Sequence, residues 1–90
     1  MNVCFDVDGC ILTSDRKPIR ANIEILKVIS LRHKVYVWSG NGYEYAYHWV
    51  KELKLEKRVC GVLNKYGSFR PDIAFDDHEI DLGRLNICVS

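Results

Sequence analysis

Short apolar runs alternate along this chain with stretches in which apolar side chains recur at helical spacing. The apolar runs predict strands at about 3–6, 34–39, 58–63 and 72–76, and a short closing strand around 85–89. A helix is expected to begin near Asn22, and a second helix is expected over residues 43–53. Short strands that alternate with helices are typical of βαβ units. The pattern therefore predicts an α/β protein built on a parallel sheet.

Composition and charge narrow the class of protein without assigning a function. The chain has 90 residues, enough for one domain over residues 1–90, and its apolar fraction of 48% is that of an ordinary globular protein. A net charge of +1 gives no overall attraction to nucleic acid or to a membrane surface. The four cysteines lack zinc-ligand spacing, which fits a reduced protein. We expect a cytoplasmic location, since no apolar run is long enough to span a membrane and no targeting segment is recognisable.

The first strand delivers two carboxylates into a glycine turn, Asp6-Val7-Asp8-Gly9. Side chains two residues apart on a strand share a face, so Asp6 and Asp8 are expected on the same side. Their mutual repulsion is commonly offset by a hard divalent cation with oxygen ligands. A polar turn without a metal explains the tetrapeptide equally well, since acidic residues and glycine favour turns. The four residues alone leave both interpretations open.

Two further strands also end in polar side chains. Ser39 ends the second strand and is followed by Gly40 and Asn41, while Asp76 and Asp77 end the fourth. The carboxyl ends of parallel strands line the ligand crevice of an open sheet. We therefore expect these three strand ends to converge on one site.

The order of these motifs resembles the haloacid dehalogenase-like superfamily, which is dominated by Mg²⁺-dependent phosphohydrolases. Residues 3–9 resemble its first motif, D-x-D-G after a hydrophobic strand, and residues 35–41 resemble the second, an apolar strand ending in Ser or Thr. Residues 73–77 resemble the fourth motif, an apolar strand ending in two acids, and Lys65 is the best match to the lone lysine of the third, with Arg70 as the competitor. The resemblance implies a three-layer Rossmann-like parallel sheet with helices on both faces.

The resemblance also implies a catalytic role for four side chains. Asp6 would attack phosphorus and form an aspartyl-phosphate, and Asp8 would act as general acid and then as general base. Ser39 would donate a hydrogen bond to a phosphate oxygen, and Lys65 would supply positive charge beside the nucleophile.

A Mg²⁺ site is implied as well. Its ligands would be Asp6, the backbone carbonyl of Asp8, and the pair Asp76 and Asp77. Which acid of that pair contacts the metal is open, although Asp77 and Asp81 reproduce a D-x-x-x-D spacing of other branches and favour Asp77.

The substrate is expected to be a phosphorylated small molecule or the exposed phosphate of a macromolecule. Superfamily members generally select substrates with a cap domain, inserted after the first motif or between the second and third. Here one helix fills most of the first interval, and about one helix and one strand fill the second, so we expect no cap domain. Residues 10–20 could form only a small flap. The aromatic residues Trp38, Tyr45 and Trp49 are expected in the core or an interface, and a homo-oligomer is possible.

Two other functions remain open at this point. A non-catalytic or regulatory domain of the same fold would bind phosphate or metal, or carry a phosphoryl group on aspartate. A receiver-type domain uses similar residues, but its phosphorylated aspartate ends a middle strand, where this chain has Ser39 and Leu63. A phosphatase acting on nucleic-acid ends is disfavoured by the near-neutral charge.

Overall fold

Five parallel strands form the centre of this computed structural model, which describes residues 1–89. The strands are β1 (Asn2–Asp6), β2 (Lys34–Ser39), β3 (Gly61–Asn64), β4 (Ile73–Asp76) and β5 (Leu85–Cys88). Two helices, α1 (Arg20–Ser30) and α2 (Tyr43–Glu52), connect β1 to β2 and β2 to β3. The strand order is β3-β2-β1-β4-β5, so the chain reverses direction across the sheet at β1. Such a reversal opens a crevice at the carboxyl ends of the strands.

The Rossmann-like parallel sheet is confirmed, but among residues 1–89 both helices pack on one face. Val3 and Phe5 of β1 belong to the same buried cluster as Leu26 of α1 and Val50 of α2. The opposite face is a smaller cluster, in which residues of the loop after β4 cover the strands. Its members are Cys4, Tyr36, Leu63, Trp38, Ala74, Ile80 and Leu82. The expected second helical layer is missing from residues 1–89 because the connections 65–72 and 77–84 are shorter than the roughly twelve residues that a crossover helix needs.

The third strand begins later than predicted. The amide N–H groups of Arg58 and Val59 both donate to the carbonyl of Leu55, which closes a turn after α2. Pairing with β2 therefore starts at Gly61, although the sequence predicted a strand over 58–63. The apolar residue Val59 packs against the core from this turn rather than from a strand.

The first helix begins two residues before the expected start at Asn22. The Asn22 side chain donates to the carbonyl of Cys10 at 2.7 Å and so joins α1 to the loop after β1. It is therefore a tertiary contact and not a helix cap. The other predicted strand and helix ends agree with the structure within one residue.

The segment from Cys10 to Ile19 is a folded loop whose first part is core. Cys10, Ile11 and Leu12 are fully buried, and the Ile19 amide donates to the Ile11 carbonyl at 2.9 Å. Only its tip is exposed, at Ser14 to Pro18. Neither interval between the first three motifs contains a cap, which agrees with the prediction. No helix within residues 1–89 is long and apolar enough to cross a membrane.

Candidate active site

Lys65 joins two carboxylates from neighbouring strands. Its Nζ lies 3.2 Å from Oδ1 of Asp6 at the end of β1 and 2.6 Å from Oδ2 of Asp76 at the end of β4. All three side chains are buried, with 8% of Lys65 and none of Asp76 exposed. Strands β1 and β4 pair directly in parallel, which places both carboxylates at one edge of the sheet. The structure thus brings together three of the residues that the sequence singled out.

Asp6 and Asp76 share the single positive charge of Lys65, and the pKa values of all three groups reflect this imbalance. Burial, reinforced by the negative charge of Asp76, raises the pKa of Asp6 to about 6, although Lys65 opposes the shift. Burial also disfavours charge on Asp76, but its contacts with Lys65 and the His78 amide outweigh that effect and lower its pKa. Burial alone would lower the pKa of Lys65, but its contacts with Asp76 and Asp6 outweigh burial and raise that pKa. Lys65 therefore stays charged and is shared by two carboxylates, of which Asp6 is the less stabilised anion.

Asp8 is held from both sides by residues for which the sequence predicted no catalytic role. The Tyr45 hydroxyl of α2 donates to Asp8 Oδ1 at 2.6 Å, and Asn41 Nδ2 donates to Asp8 Oδ2 at 2.7 Å. The sequence placed Tyr45 in the core or an interface, and its ring does pack against the core, while its hydroxyl contacts Asp8. The sequence carried little indication of this contact, because only the fold brings the first turn of α2 beside the loop that contains Asp8. Two donors on one carboxylate fix the plane in which Asp8 can exchange a proton.

Replacing Tyr45 by Phe is expected to lower turnover by roughly tenfold without unfolding the chain, because Asp8 loses one of its two positioning donors. The measurement is turnover of an aryl phosphate against pH, together with thermal denaturation. Tyr47→Phe is the matched control, since Tyr47 lies half-exposed on the same helix and stacks on Tyr43. A Tyr45→Phe variant with an unchanged pH profile and turnover would show that this hydrogen bond does not position Asp8.

Ser39 lies at the base of an open cleft of about 220 Å³. Its Oγ accepts a hydrogen bond from the Asn41 amide at 3.0 Å, which leaves the hydroxyl proton available to a ligand. The lining combines the strand ends with two residues of the following loops that the sequence did not assign to catalysis, Tyr66 and His78. The full lining is Asp6, Asp8, Ser39, Gly40, Asn41, Lys65, Tyr66, Asp77 and His78.

Asp77 faces the cleft, whereas Asp76 lies buried behind it. Asp77 Oδ1 lies 2.9 Å from His78 Nδ1, and its carboxylate lies directly against Gly9. A Cβ atom on Gly9 would overlap the Asp77 carboxylate, and Gly9 has a φ of +81°, which other residues rarely adopt. The glycine turn therefore brings Asp77 close to the backbone that follows Asp8.

Gly9→Ala is expected to destabilise the protein more than Gly42→Ala, by on the order of 2 kcal/mol. Both glycines have positive φ, but nothing lies within 4 Å of a Cβ built on Gly42, whereas Gly9 meets the Asp77 carboxylate. Both variants place a side chain at a positive φ, and only Gly9→Ala also displaces Asp77. Urea denaturation of both measures the difference, and equal losses would mean that the carboxylate moves aside freely.

The oxygen atoms of this site fit a hard divalent cation. Asp76 Oδ2 is completely buried, and its close partner among the described residues is the Lys65 ammonium, which Asp6 also contacts. Asp6 is a second buried carboxylate with incomplete charge compensation. Carboxylate and carbonyl oxygens are the ligands that Mg²⁺ prefers. Asp6, the Asp8 carbonyl and Asp77 border the cleft and could hold such an ion, with Asp76 behind them.

Arg70 and Asp81 lie outside the site. Arg70 Nη2 and Asp81 Oδ1 form an exposed ion pair at 3.1 Å, and neither residue lines the cleft. The position of Arg70 leaves Lys65 as the cation beside Asp6. Asp81 likewise offers no support for the D-x-x-x-D spacing, so the preference for Asp77 rests on its place in the cleft.

The fold and the cleft together define a Rossmann-like α/β protein whose polar strand ends meet at the point where the sheet reverses. A family model of haloacid dehalogenase-like hydrolases matches residues 3–69, which include Asp6, Asp8, Ser39 and Lys65. The chain belongs to this family. The match ends before Asp76 and Asp77, so their part in the site rests on geometry. Searches of curated proteins and of solved structures found no significant match.

Proposed function

We propose that this chain is a Mg²⁺-dependent phosphatase that acts through an aspartyl-phosphate on Asp6. The observation that carries the proposal is the environment of Asp6, a buried carboxylate with a raised pKa beside Lys65 on the wall of an open cleft. Such a group is costly in a purely structural role, and perturbed carboxylates are concentrated in active sites. Membership of a hydrolase family supports the same chemistry.

In the first half-reaction an oxygen of Asp6 attacks phosphorus while the bond from phosphorus to the leaving oxygen breaks. Oδ1 lies against Lys65, and Oδ2 makes no hydrogen bond to a residue in 1–89, so Oδ2 is the available nucleophile. Asp8 in its protonated form gives its proton to the leaving oxygen. The products are the free alcohol and a phosphoryl group bonded to Asp6.

In the second half-reaction a water molecule attacks the same phosphorus, and Asp8 takes its proton. The bond between phosphorus and Asp6 breaks, inorganic phosphate leaves, and both aspartates return to their starting states. The hydrogen bonds from Tyr45 and Asn41 keep Asp8 in one orientation for both proton transfers.

Charge on the phosphoryl oxygens is met by fixed donors. The Ser39 hydroxyl can donate one hydrogen bond, and the Lys65 ammonium supplies a positive charge at the nucleophile. Mg²⁺, when bound by Asp6, the Asp8 carbonyl and Asp77, would neutralise phosphate charge and orient the group for in-line attack.

The shallow cleft favours a substrate whose phosphate projects from its surface, either a phosphorylated small molecule or an exposed phosphate on a macromolecule. No cap separates the motifs, and the exposed tip of the loop after β1 presents Arg16 and Lys17. These cations suit an anionic substrate. Closure of the cleft by a second copy of the chain is compatible with the same site.

The test is hydrolysis of an aryl phosphate by the metal-free protein after addition of Mg²⁺, followed by a panel of phosphorylated metabolites. Release of many equivalents of phosphate per chain, stopped by chelation, is the expected result. Retention of one phosphoryl group per chain without turnover would instead favour the regulatory function. Absence of both would contradict phosphoryl chemistry at Asp6.

A further inference from the structure

Tyr66, in the loop after β3, has the most exposed aromatic ring among the tyrosine, phenylalanine and tryptophan residues of the described chain. It is 75% exposed, and its ring stacks on no other aromatic ring within residues 1–89. Each of the other tyrosine rings packs on a second ring or on the core. These tyrosines are Tyr36, Tyr43, Tyr45 and Tyr47.

The ring of Tyr66 forms part of the wall of the candidate active site. Lys65 Nζ lies 5.8 Å from the centre of the ring and 3.2 Å from Asp6 Oδ1. The Tyr66 hydroxyl oxygen and one ring carbon lie 3.7 and 3.9 Å from the position that a Cβ atom on Gly40 would take. The ring therefore extends from the loop after β3 to the end of β2, where Ser39 lies, and the ammonium group that it contacts also contacts the proposed nucleophile.

Tyr66 also gives the cleft its one broad apolar surface among the described residues. Apart from the His78 imidazole, the other side chains in the lining carry carboxylate, hydroxyl, amide or ammonium groups. These polar groups suit a phosphate and an ester oxygen, but they offer no surface to the carbon atoms of a leaving group. An aromatic face does offer one, and it binds a second planar ring by offset or edge-to-face stacking.

The size of the cleft limits the group that can lie against Tyr66. Its volume of about 220 Å³ is below the range of about 300–1,000 Å³ that is typical of pockets for drug-sized ligands. A phosphate at the base of the cleft, beside Asp6 and Ser39, leaves space for a single small ring in the outer part. Asp8 borders the same space, so a ring bonded to the departing oxygen lies there together with Tyr66.

We propose that Tyr66 selects phosphate esters whose leaving group is a single planar ring, by stacking on that ring while the phosphate reacts at Asp6. The proposal rests on the phosphatase function proposed above and names its class of substrate. Tyr66 is a specificity-determining residue in this arrangement and takes no part in making or breaking bonds. A stacked pair of rings changes affinity by about twofold to tenfold beyond the burial of its surface.

The first measurement is calorimetric binding of two phosphonates, whose carbon–phosphorus bond replaces the ester bond. Benzylphosphonate carries a planar ring, and cyclohexylmethylphosphonate carries a saturated ring with the same number of carbon atoms. In the presence of Mg²⁺, the wild type and Tyr66→Phe are expected to favour benzylphosphonate by about threefold to tenfold. Tyr66→Leu keeps an apolar side chain without a ring, so the preference should disappear. Tyr47→Leu should retain it and is the matched control, since Tyr47 is half-exposed on α2 and does not line the cleft.

The second measurement is hydrolysis with Mg²⁺. Tyr66→Leu is expected to raise KM for phenyl phosphate by about threefold to tenfold and to change kcat by less than about twofold, because stacking contributes equally to the ground state and the transition state. KM for methyl phosphate should not change. A peptide that contains phosphotyrosine, measured beside phenyl phosphate, shows whether the ring belongs to a small molecule or to a polypeptide. An effect of Tyr66→Leu on either substrate supports the proposal.

The outcomes separate this inference from the proposed function. Equal affinity of the wild type for the two phosphonates, absence of benzylphosphonate binding, or a preference that survives in Tyr66→Leu would overturn the role of Tyr66. Hydrolysis that depends on Mg²⁺ and Asp6 would still leave the phosphatase proposal standing. Conversely, a ring preference that requires Tyr66 in a chain without turnover would support the ring site and contradict the phosphatase.

Discussion

Replacing Asp6 by Asn is expected to reduce hydrolysis by at least about 1,000-fold, because the amide cannot form the covalent intermediate. The same variant is expected to be more stable than the wild type when metal is absent. Asn keeps the shape of Asp6 and removes a buried negative charge that burial and Asp76 both disfavour. At pH 7 the gain is expected to be on the order of 1–3 kcal/mol, since the pKa of Asp6 is raised from 3.8 to about 6.

The stability gained by Asp6→Asn should increase as the pH rises. A carboxyl whose pKa is raised by folding binds its proton more tightly in the folded chain, so ionisation destabilises the wild type as pH rises from about 4 to about 6. The stability difference between Asp6→Asn and the wild type should therefore be full above pH 6 and vanish near pH 4. Urea denaturation in the presence of a chelator, at several pH values, measures it.

Asp8→Asn is the matched control for the measurements of hydrolysis and of stability. Its carboxylate is partly exposed and accepts hydrogen bonds from Tyr45 and Asn41, so the substitution should reduce activity without a gain in stability. An Asp6→Asn protein that still turns over substrate would contradict the covalent mechanism. One that loses stability at pH 7 would show that Asp6 is a structural anion matched to Lys65.

Lys65→Met is expected to destabilise the protein, in contrast to Asp6→Asn, and to reduce hydrolysis as Asp6→Asn does. Removal of one member of a buried ion pair leaves an uncompensated charge and costs about 3–5 kcal/mol. Here Asp6 and Asp76 both lose their cation, so the loss should be greatest at neutral pH and shrink as the carboxyls become protonated. The free energy of unfolding by urea and the turnover of an aryl phosphate measure the two effects.

A double variant tests whether uncompensated charge causes the loss of stability in Lys65→Met. Adding Asp76→Asn to Lys65→Met removes the buried anion closest to the lost ammonium and should recover part of the stability, but none of the activity. Arg70→Met is the control at an exposed ion pair, where a change below about 1 kcal/mol is expected. Comparable losses for Lys65→Met and Arg70→Met would contradict the buried arrangement.

Residues that follow apolar strands could be predicted because the signal is local. The run from Val3 to Phe5 predicts a buried strand, and the acids after it must then lie at a sheet edge. The same reasoning applied to Ser39 and to the pair at the end of β4, and all of these residues meet around one cleft. Lys65 required the order of the motifs as well, since a lysine in a loop has no distinguishing local pattern.

The partners of Asp8 and Asp77 could not be predicted in the same way. Asn41 and Tyr45 are 33 and 37 residues from Asp8 in the chain, and only the pairing of β1 with β2 and the packing of α2 bring them together. His78 follows the acid pair directly, yet the contact of its ring with Asp77 is visible only in the structure. Contacts between residues far apart in the sequence produce no periodic pattern from which they could be predicted.

Local patterns in the chain were enough to predict the parallel α/β architecture, the family resemblance and the aspartates that end β1 and β4. Hydrophobic periodicity and strand-end chemistry act over a few residues, and both are readable without coordinates. The tertiary structure alone decided that both helices lie on one face and that Lys65, rather than Arg70, lies between Asp6 and Asp76. These features depend on loop lengths and on burial, since a charge becomes costly or useful only when packing has removed it from water.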